Sequence, residues 1–492
     1  MEQASRPRGL VSPNRNPDTY TCTDCIKIAR RRDTVRTSGN RMKNTRTVPR
    51  NGVRRMSGLP PVAVISGTVQ SREMAEIIQG GPARTYALPN TAASVFTFAF
   101  KDRKSLVSVK FNAWLQTLGY WCFRGSGIKK LSLPAGVREM GTCAFFECAR
   151  LESADLSATR SLGALPKSAF NGCGRLGRVA LGEGLRTVGE FCFKGTALGE
   201  VSLPRSVTRI ECFAFQGCVN LRRLRLESGG GLREVWACAF EGSGVEEFVA
   251  PASLRELGNF AFSGCRSLRR ADFSSCSFQL GDGVFRNSGL AEVVLPRALR
   301  TIGERAFQNC ANLRSLALEG CTALEEVGRG AFFGSGLEAF AAPPSLRKVG
   351  DLAFGSCSAL GELELCGGVR ELGWLCFWGT RAGHMALPAA MGFGPERLGI
   401  GQGDSRVLRL PDGLQEVGED WLRDGLVEEV FVPASVRSLG KCAFYRCGRL
   451  GSVVFAPGSC LERIGDSCFE GCGLREVVVP ASVQRIGCAA FC

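Results

Sequence analysis

The sequence predicts an α/β solenoid in which each unit contributes one short parallel strand, with turns or short helical turns on the outer side and a disordered tail in front. Three observations carry this. A phenylalanine recurs at a nearly constant period, an alternating apolar run follows it at a constant offset, and both are missing from the first 90 residues.

The register is set by a phenylalanine four residues after a glycine, as in Gly303-Glu304-Arg305-Ala306-Phe307. It returns at Phe100, Phe123, Phe145, Phe170, Phe193, Phe215, Phe240, Phe262, Phe285, Phe307, Phe332, Phe354 and Phe377, then as Leu422, then at Phe444, Phe469 and Phe491. The steps are 22, 23 or 25 residues, with one gap of 45 between Phe377 and Leu422, which gives some 17 units. A fixed period in this range is the mark of stacked units that bury together what none can bury alone. The gap holds a degraded unit at about 389–411, whose strand survives as Val407 to Pro411.

Two kinds of unit alternate. In one the strand ends in proline, as in Leu290-Ala291-Glu292-Val293-Val294-Leu295-Pro296; in the other it does not, as in Leu313-Arg314-Ser315-Leu316-Ala317-Leu318. Apolar residues two apart, such as Val293 and Leu295, point to one side of a strand, so their neighbours point to the other. The polar run before each anchor suits a tight or short helical turn, because about a dozen residues leave no room for a full helix.

These units, L-x-x-(L/V)-x-LP-x-x-V-x-x-IG-x-x-AF-x-x-C, resemble the BspA-like leucine-rich repeat. The match is close in Val477 to Phe491 (VVVPASVQRIGCAAF), Phe431 to Cys447 and Val201 to Cys218, and it covers residues 91–492. The resemblance implies a leucine-rich-repeat solenoid and a surface antigen, adhesin or interaction scaffold; it carries over no catalytic residue.

Residues 1–90 differ in kind. They hold 16 Lys and Arg against 6 Asp and Glu, a net of +10, which leaves +6 for the other 402 residues. Such a segment cannot bury enough apolar surface to offset its ordering entropy, so it reads as a disordered tail. Its clustered cations suit an anionic partner, nucleic acid or membrane among them. Tyr20 is its only aromatic before Tyr86, so base stacking has no support.

The opening MEQASRPRGL has no apolar core, and no run of about 18 apolar residues occurs anywhere. The reading is cytoplasmic, with the surface as the alternative if the N-terminus is incomplete.

Of the 24 cysteines, Cys148, Cys173, Cys218, Cys265, Cys310, Cys357, Cys447 and Cys472 fall three residues after an anchor, and Cys122, Cys192, Cys376 and Cys468 fall one before. Those offsets predict free thiols packed in the core. Cys276, Cys321, Cys366 and Cys460, at strand exits, are the expected exposed thiols. Cys22 and Cys25 have metal-like spacing, but the tail offers no further Cys or His to complete a zinc site, so no metal and no cofactor is expected.

Catalysis finds little to stand on. The single histidine, His384, sits within a repeat strand, and Gly399-Ile400-Gly401-Gln402-Gly403 lacks the Lys-Ser/Thr ending of a phosphate loop. The expected activity is therefore binding of a protein partner through the inner face of the solenoid.

On that face, Arg178, Glu200, Arg223, Glu247, Arg270 and Glu292 stand before the central strand residue and predict an alternating ion ladder. The position after it is polar in early units (Lys110, Ser132, Asp155, Ser202, Arg225, Asp272) and more apolar later. Val294, Phe431, Val454 and Val478 are the candidate binding residues, with Phe431, Val454 and Val478 expected as one patch on adjacent strands.

Overall fold

The computed structural model describes residues 62–64, 84–227, 229–318, 320–365, 368–380, 384–386, 407–410 and 414–492, all in one unit spanning Gly58–Cys492. The segment 1–61, with Cys22 and Cys25, lies outside the described residues, as do Cys366 and Gly399–Gly403.

Each unit pairs with the next in parallel, as a solenoid requires. Strand Glu200–Leu203 lies beside Arg223–Leu226 in the register Glu200↔Arg223, Val201↔Leu224, Ser202↔Arg225 and Leu203↔Leu226. Alternate residues decide which side is buried: Val201 and Leu203 are buried and Glu200 and Ser202 exposed.

The expectation of one strand per unit is corrected to two. In most of the described units a second, two-residue strand precedes the turn, as in Thr187–Val188, Arg209–Ile210 and Glu234–Val235, and these form their own parallel ladder; the Phe285 unit keeps only a single bridge at Leu280, and Leu313–Leu318, expected as a strand, forms none. The glycine that follows has a reason in this packing. A Cβ on Gly303 would lie 2.5 Å from the main-chain carbonyl carbon of Gly281, and one on Gly465 would lie 2.6 Å from that of Gly440. At these glycines the stacked backbones leave no room for a Cβ, whereas Glu211 and Trp236 follow the strands Arg209–Ile210 and Glu234–Val235.

The helical turns are corrected as well: among the described residues no helix occurs. Residues two before and two after the anchor take left-handed backbone, for example Arg305 (φ 53°) and Asn309 (φ 58°) around Phe307, or Cys442 (φ 54°) and Arg446 (φ 58°) around Phe444. Two such residues four positions apart cannot belong to a right-handed helical turn. Their N–H groups point along the solenoid instead. Arg305, Phe307 and Asn309 donate to the carbonyls of Arg329, Ala331 and Phe333 in the next unit at 2.9, 2.7 and 2.8 Å.

The core is a continuous column. Rings from Phe100 through Phe377 stack one per unit, with neighbouring centroids between 4.8 and 5.9 Å. Leu422 replaces one ring, and stacking resumes at Phe444, Phe469 and Phe491. Beside the rings runs a column of thiols and hydroxyls. The Sγ–H of Cys218, Cys265, Cys310 and Cys357 donates to the carbonyl of the preceding anchor at 3.0 Å. Thr196, Ser243, Ser288 and Ser335 occupy the units between, within 3.3 to 3.4 Å of those sulfurs. The expected core thiols are buried, save Cys472, which is half-buried.

Two of the expected exposed thiols are corrected. Cys276 and Cys321 are buried, because each stacks beneath the preceding unit's strand-ending proline and donates to the Pro251 or Pro296 carbonyl at 3.6 Å. Cys460 is exposed as expected; Cys488 and Cys492 are exposed too.

The strand ladder reaches further back than the boundary at residue 91. Thr85–Ala87 pairs with Ser108–Lys110 and with Val62–Val64, and Tyr86 is buried against Phe100. The strand in TYALP has no preceding anchor to reveal it. In the degraded unit Val407–Arg409 is present and pairs with Glu429–Val432, and His384 lies in the strand His384–Ala386.

Candidate functional site

The longer strands carry one outward-facing residue on each side of their buried centre. Together these make a face that no other element among the described residues covers.

The ion ladder is built in the expected order, and its Glu247–Arg270 rung closes, but other members bond differently. Glu200 stands beside Arg223, Glu247 beside Arg270, and Arg270 beside Glu292. Yet Glu200 bridges Arg225 on the diagonal, while Arg270 reaches Glu247 at 3.9 Å and Asp272 at 3.8 Å. The backbone N–H of Ser274, 3.0 Å from Asp272 Oδ1, holds that carboxylate below its ordinary range. Long arginine side chains choose whichever carboxylate gives the better geometry, so strand register alone does not set the pairs.

The apolar residues divide into two places. Val294 lies on the strand Glu292–Val294, beside Asp272, which in turn stands beside Val249. Val249 is 55% exposed, more than Val294 at 40%, and sequence reasoning passed over it although it stands at the same strand position between Arg225 and Asp272. Phe431 and Val454 lie elsewhere, on Glu429–Val432 and Ser452–Phe455, directly opposite each other in register. Arg409 stands opposite Phe431 on its other side, with its guanidinium 5.0 Å from the ring centroid.

Val478 is 77% exposed, but it is not on a paired strand as expected. Residues 476–482 run beside Ser452–Phe455 without joining the sheet, and a shallow groove opens between them, lined by Val454, Phe455, Glu476, Val478, Pro480 and Ser482. The structure therefore brings Phe431, Val454 and Val478 to one place and leaves Val294 out. A cation, an aromatic ring and two aliphatic side chains in sequence can hold an apolar group and a neighbouring carboxylate at once.

Among the described residues no helix is long and apolar enough to cross a membrane, and no group of three or more His, Cys, Asp or Glu is placed to hold a metal ion.

The family model described as BspA type leucine rich repeat region, in six copies, matches residues 82–198, 186–314, 278–392 and 405–492. Among solved structures, a leucine-rich repeat protein from Bacteroides ovatus is 22% identical, with 76% of this chain and 78% of that chain covered and a TM-score of 0.38. A leucine rich cell surface protein from Faecalibacterium prausnitzii is 17% identical over 76% and 88%, with a TM-score of 0.34. YopM from Yersinia enterocolitica is 16% identical over 86% and 95%, with a TM-score of 0.29. No curated protein matches the sequence.

Proposed function

Because this chain belongs to the BspA type leucine rich repeat family, we propose that it is a non-catalytic scaffold that binds a protein partner on the strand face at Arg409, Phe431, Val454 and Val478. The observation that carries the reading is the in-register row Arg409, Phe431, Val454, continued by the groove that Val454 shares with Val478. The segment it suits is one that presents an aliphatic or aromatic side chain to the groove and lies across Phe431, one strand away, toward Arg409, two strands away.

The test is quantitative capture by the immobilised chain, compared with Phe431→Ala combined with Val454→Ser and Val478→Ser. All three side chains are at least partly exposed, so the variant should unfold within a few degrees of the parent while losing its partner. Unchanged capture by that variant, with loss on Arg178→Ala and Arg223→Ala instead, would move the site to the ion ladder.

A further inference from the structure

In the column of thiols and hydroxyls beside the phenylalanine stack, cysteine normally alternates with serine or threonine, so one sulfur meets one oxygen. Among the described residues consecutive units both carry cysteine at two places, Cys148 with Cys173 and Cys447 with Cys472, while Arg103 and Gly425 stand in this column near its start and before Cys447.

The second pair stands in register. Phe444 and Phe469 stack at 5.2 Å, Phe444 N–H donates to Cys468 O at 2.8 Å, and Arg446 N–H donates to Glu470 O at 2.7 Å. Cys447 and Cys472 each follow their anchor by three residues and so face each other across this ladder. In-register parallel backbones lie about 4.8 Å apart, inside the window of about 4.4–6.8 Å that a disulfide requires between α-carbons. The two also converge on one oxygen: the Phe444 carbonyl accepts from the Cys447 N–H at 3.2 Å and from Cys472 Sγ at 3.1 Å.

The two cysteines are unequal in the way that thiol exchange needs. Cys472 is half-buried, whereas Cys447 is buried and donates to the Leu422 carbonyl at 2.9 Å. We propose that Cys447 and Cys472 are a dithiol modification site that closes to a disulfide on reaction with a small disulfide such as oxidised glutathione, Cys472 attacking and Cys447 resolving. Contact with Cys447 holds the Cys472 thiol below its ordinary value, and the same contact, followed by burial, keeps Cys447 protonated.

The exchange balances without any further reagent. The Cys472 thiolate attacks one sulfur of the glutathione disulfide, forming a mixed disulfide and expelling one glutathione thiolate. The Cys447 sulfur, giving up its proton to that thiolate, then attacks Cys472 Sγ and expels the second. Two protein thiols and one disulfide become one protein disulfide and two glutathione thiols. The Cys148 and Cys173 pair has the same register but both members are buried, so it serves as an internal control.

The test uses the folded full chain, oxidised glutathione as the probe, alkylation of remaining thiols after denaturation, and peptide mapping. The expected result is a Cys447–Cys472 cross-link with Cys148 and Cys173 recovered alkylated. Cys447→Ser keeps a donor of the kind found at this column position in units such as those of Ser288 and Ser335 and should leave glutathione on Cys472, while Cys472→Ser should leave Cys447 unmodified. Recovery of Cys447 as a free thiol in the wild-type chain, or a Cys472 cross-link to Cys488 or Cys492, overturns the proposal, and neither observation depends on a variant folding.

Discussion

Cys310 Sγ donates to the main-chain carbonyl of Phe285, one unit before it, at 3.0 Å. The contact joins the two periodic features of this chain, because the residue that accepts is a stacked ring and the residue that donates is the cysteine three places after the next ring. A thiol is apolar enough to sit fully buried and still a weak donor, so it fills a position that neither a hydrocarbon nor a charge would suit.

The first prediction follows from that contact. Cys310→Ser should cost about 1 kcal/mol or less, since Ser288 already fills the equivalent position one unit away, whereas Cys310→Leu should cost about 1–3 kcal/mol by overpacking a closed column. Urea unfolding of the two variants measures the difference, and equal losses would show that volume and hydrogen bonding do not matter there.

Glycine supplies the second. Gly303→Ala would drive a Cβ into the backbone of Gly281, so its cost should exceed 2 kcal/mol, roughly the scale of severe backbone conflicts. Gly451→Ala is the comparison, because its Cβ would meet nothing nearer than the Arg449 carbonyl at 3.9 Å. Thermal unfolding should separate the two by many degrees.

A third prediction concerns pH. Burial pushes the thiols of Cys265 and Cys310 up to about 12 and those of Cys218 and Cys357 up to about 11. Thiols in an unfolded chain ionise near about 8.5. Between those values the folded state keeps protons that the unfolded state has released, so stability falls as pH rises through the window, by roughly 1.4 kcal/mol per pH unit for each thiol. The urea midpoint should decline steadily above about pH 9, and serine at these four positions should flatten that slope.

The fourth prediction maps exposure. Brief alkylation of the folded chain should label Cys460, Cys488 and Cys492 first and spare Cys276 and Cys321, which the stacking of proline carbonyls covers. Rapid labelling of Cys321 would contradict the packing of its strand exit.

Much of this protein was legible along its chain. The period of Phe100 to Phe491, the alternation of Val201 and Leu203 with Glu200 and Ser202, and the offset of Cys310 from Phe307 are all one-dimensional facts, and parallel stacking turns each into a column. The unit repeats, so any error in reading one unit is corrected by the others.

What the sequence by itself determined was therefore the solenoid, its strand face and its buried thiols. Only the tertiary structure decided matters that depend on contact between units. Left-handed backbone at Arg305 and Asn309 closes each turn without a helix, because the freed N–H groups find carbonyls in the next unit rather than within the same one. Arg225 takes Glu200 from Arg223 because side-chain reach, not register, selects an ion pair. Val478 lies outside the sheet while Val294 stands apart from Phe431, since membership of a patch depends on which units adjoin, and a repeat pattern is the same wherever along the chain it is read.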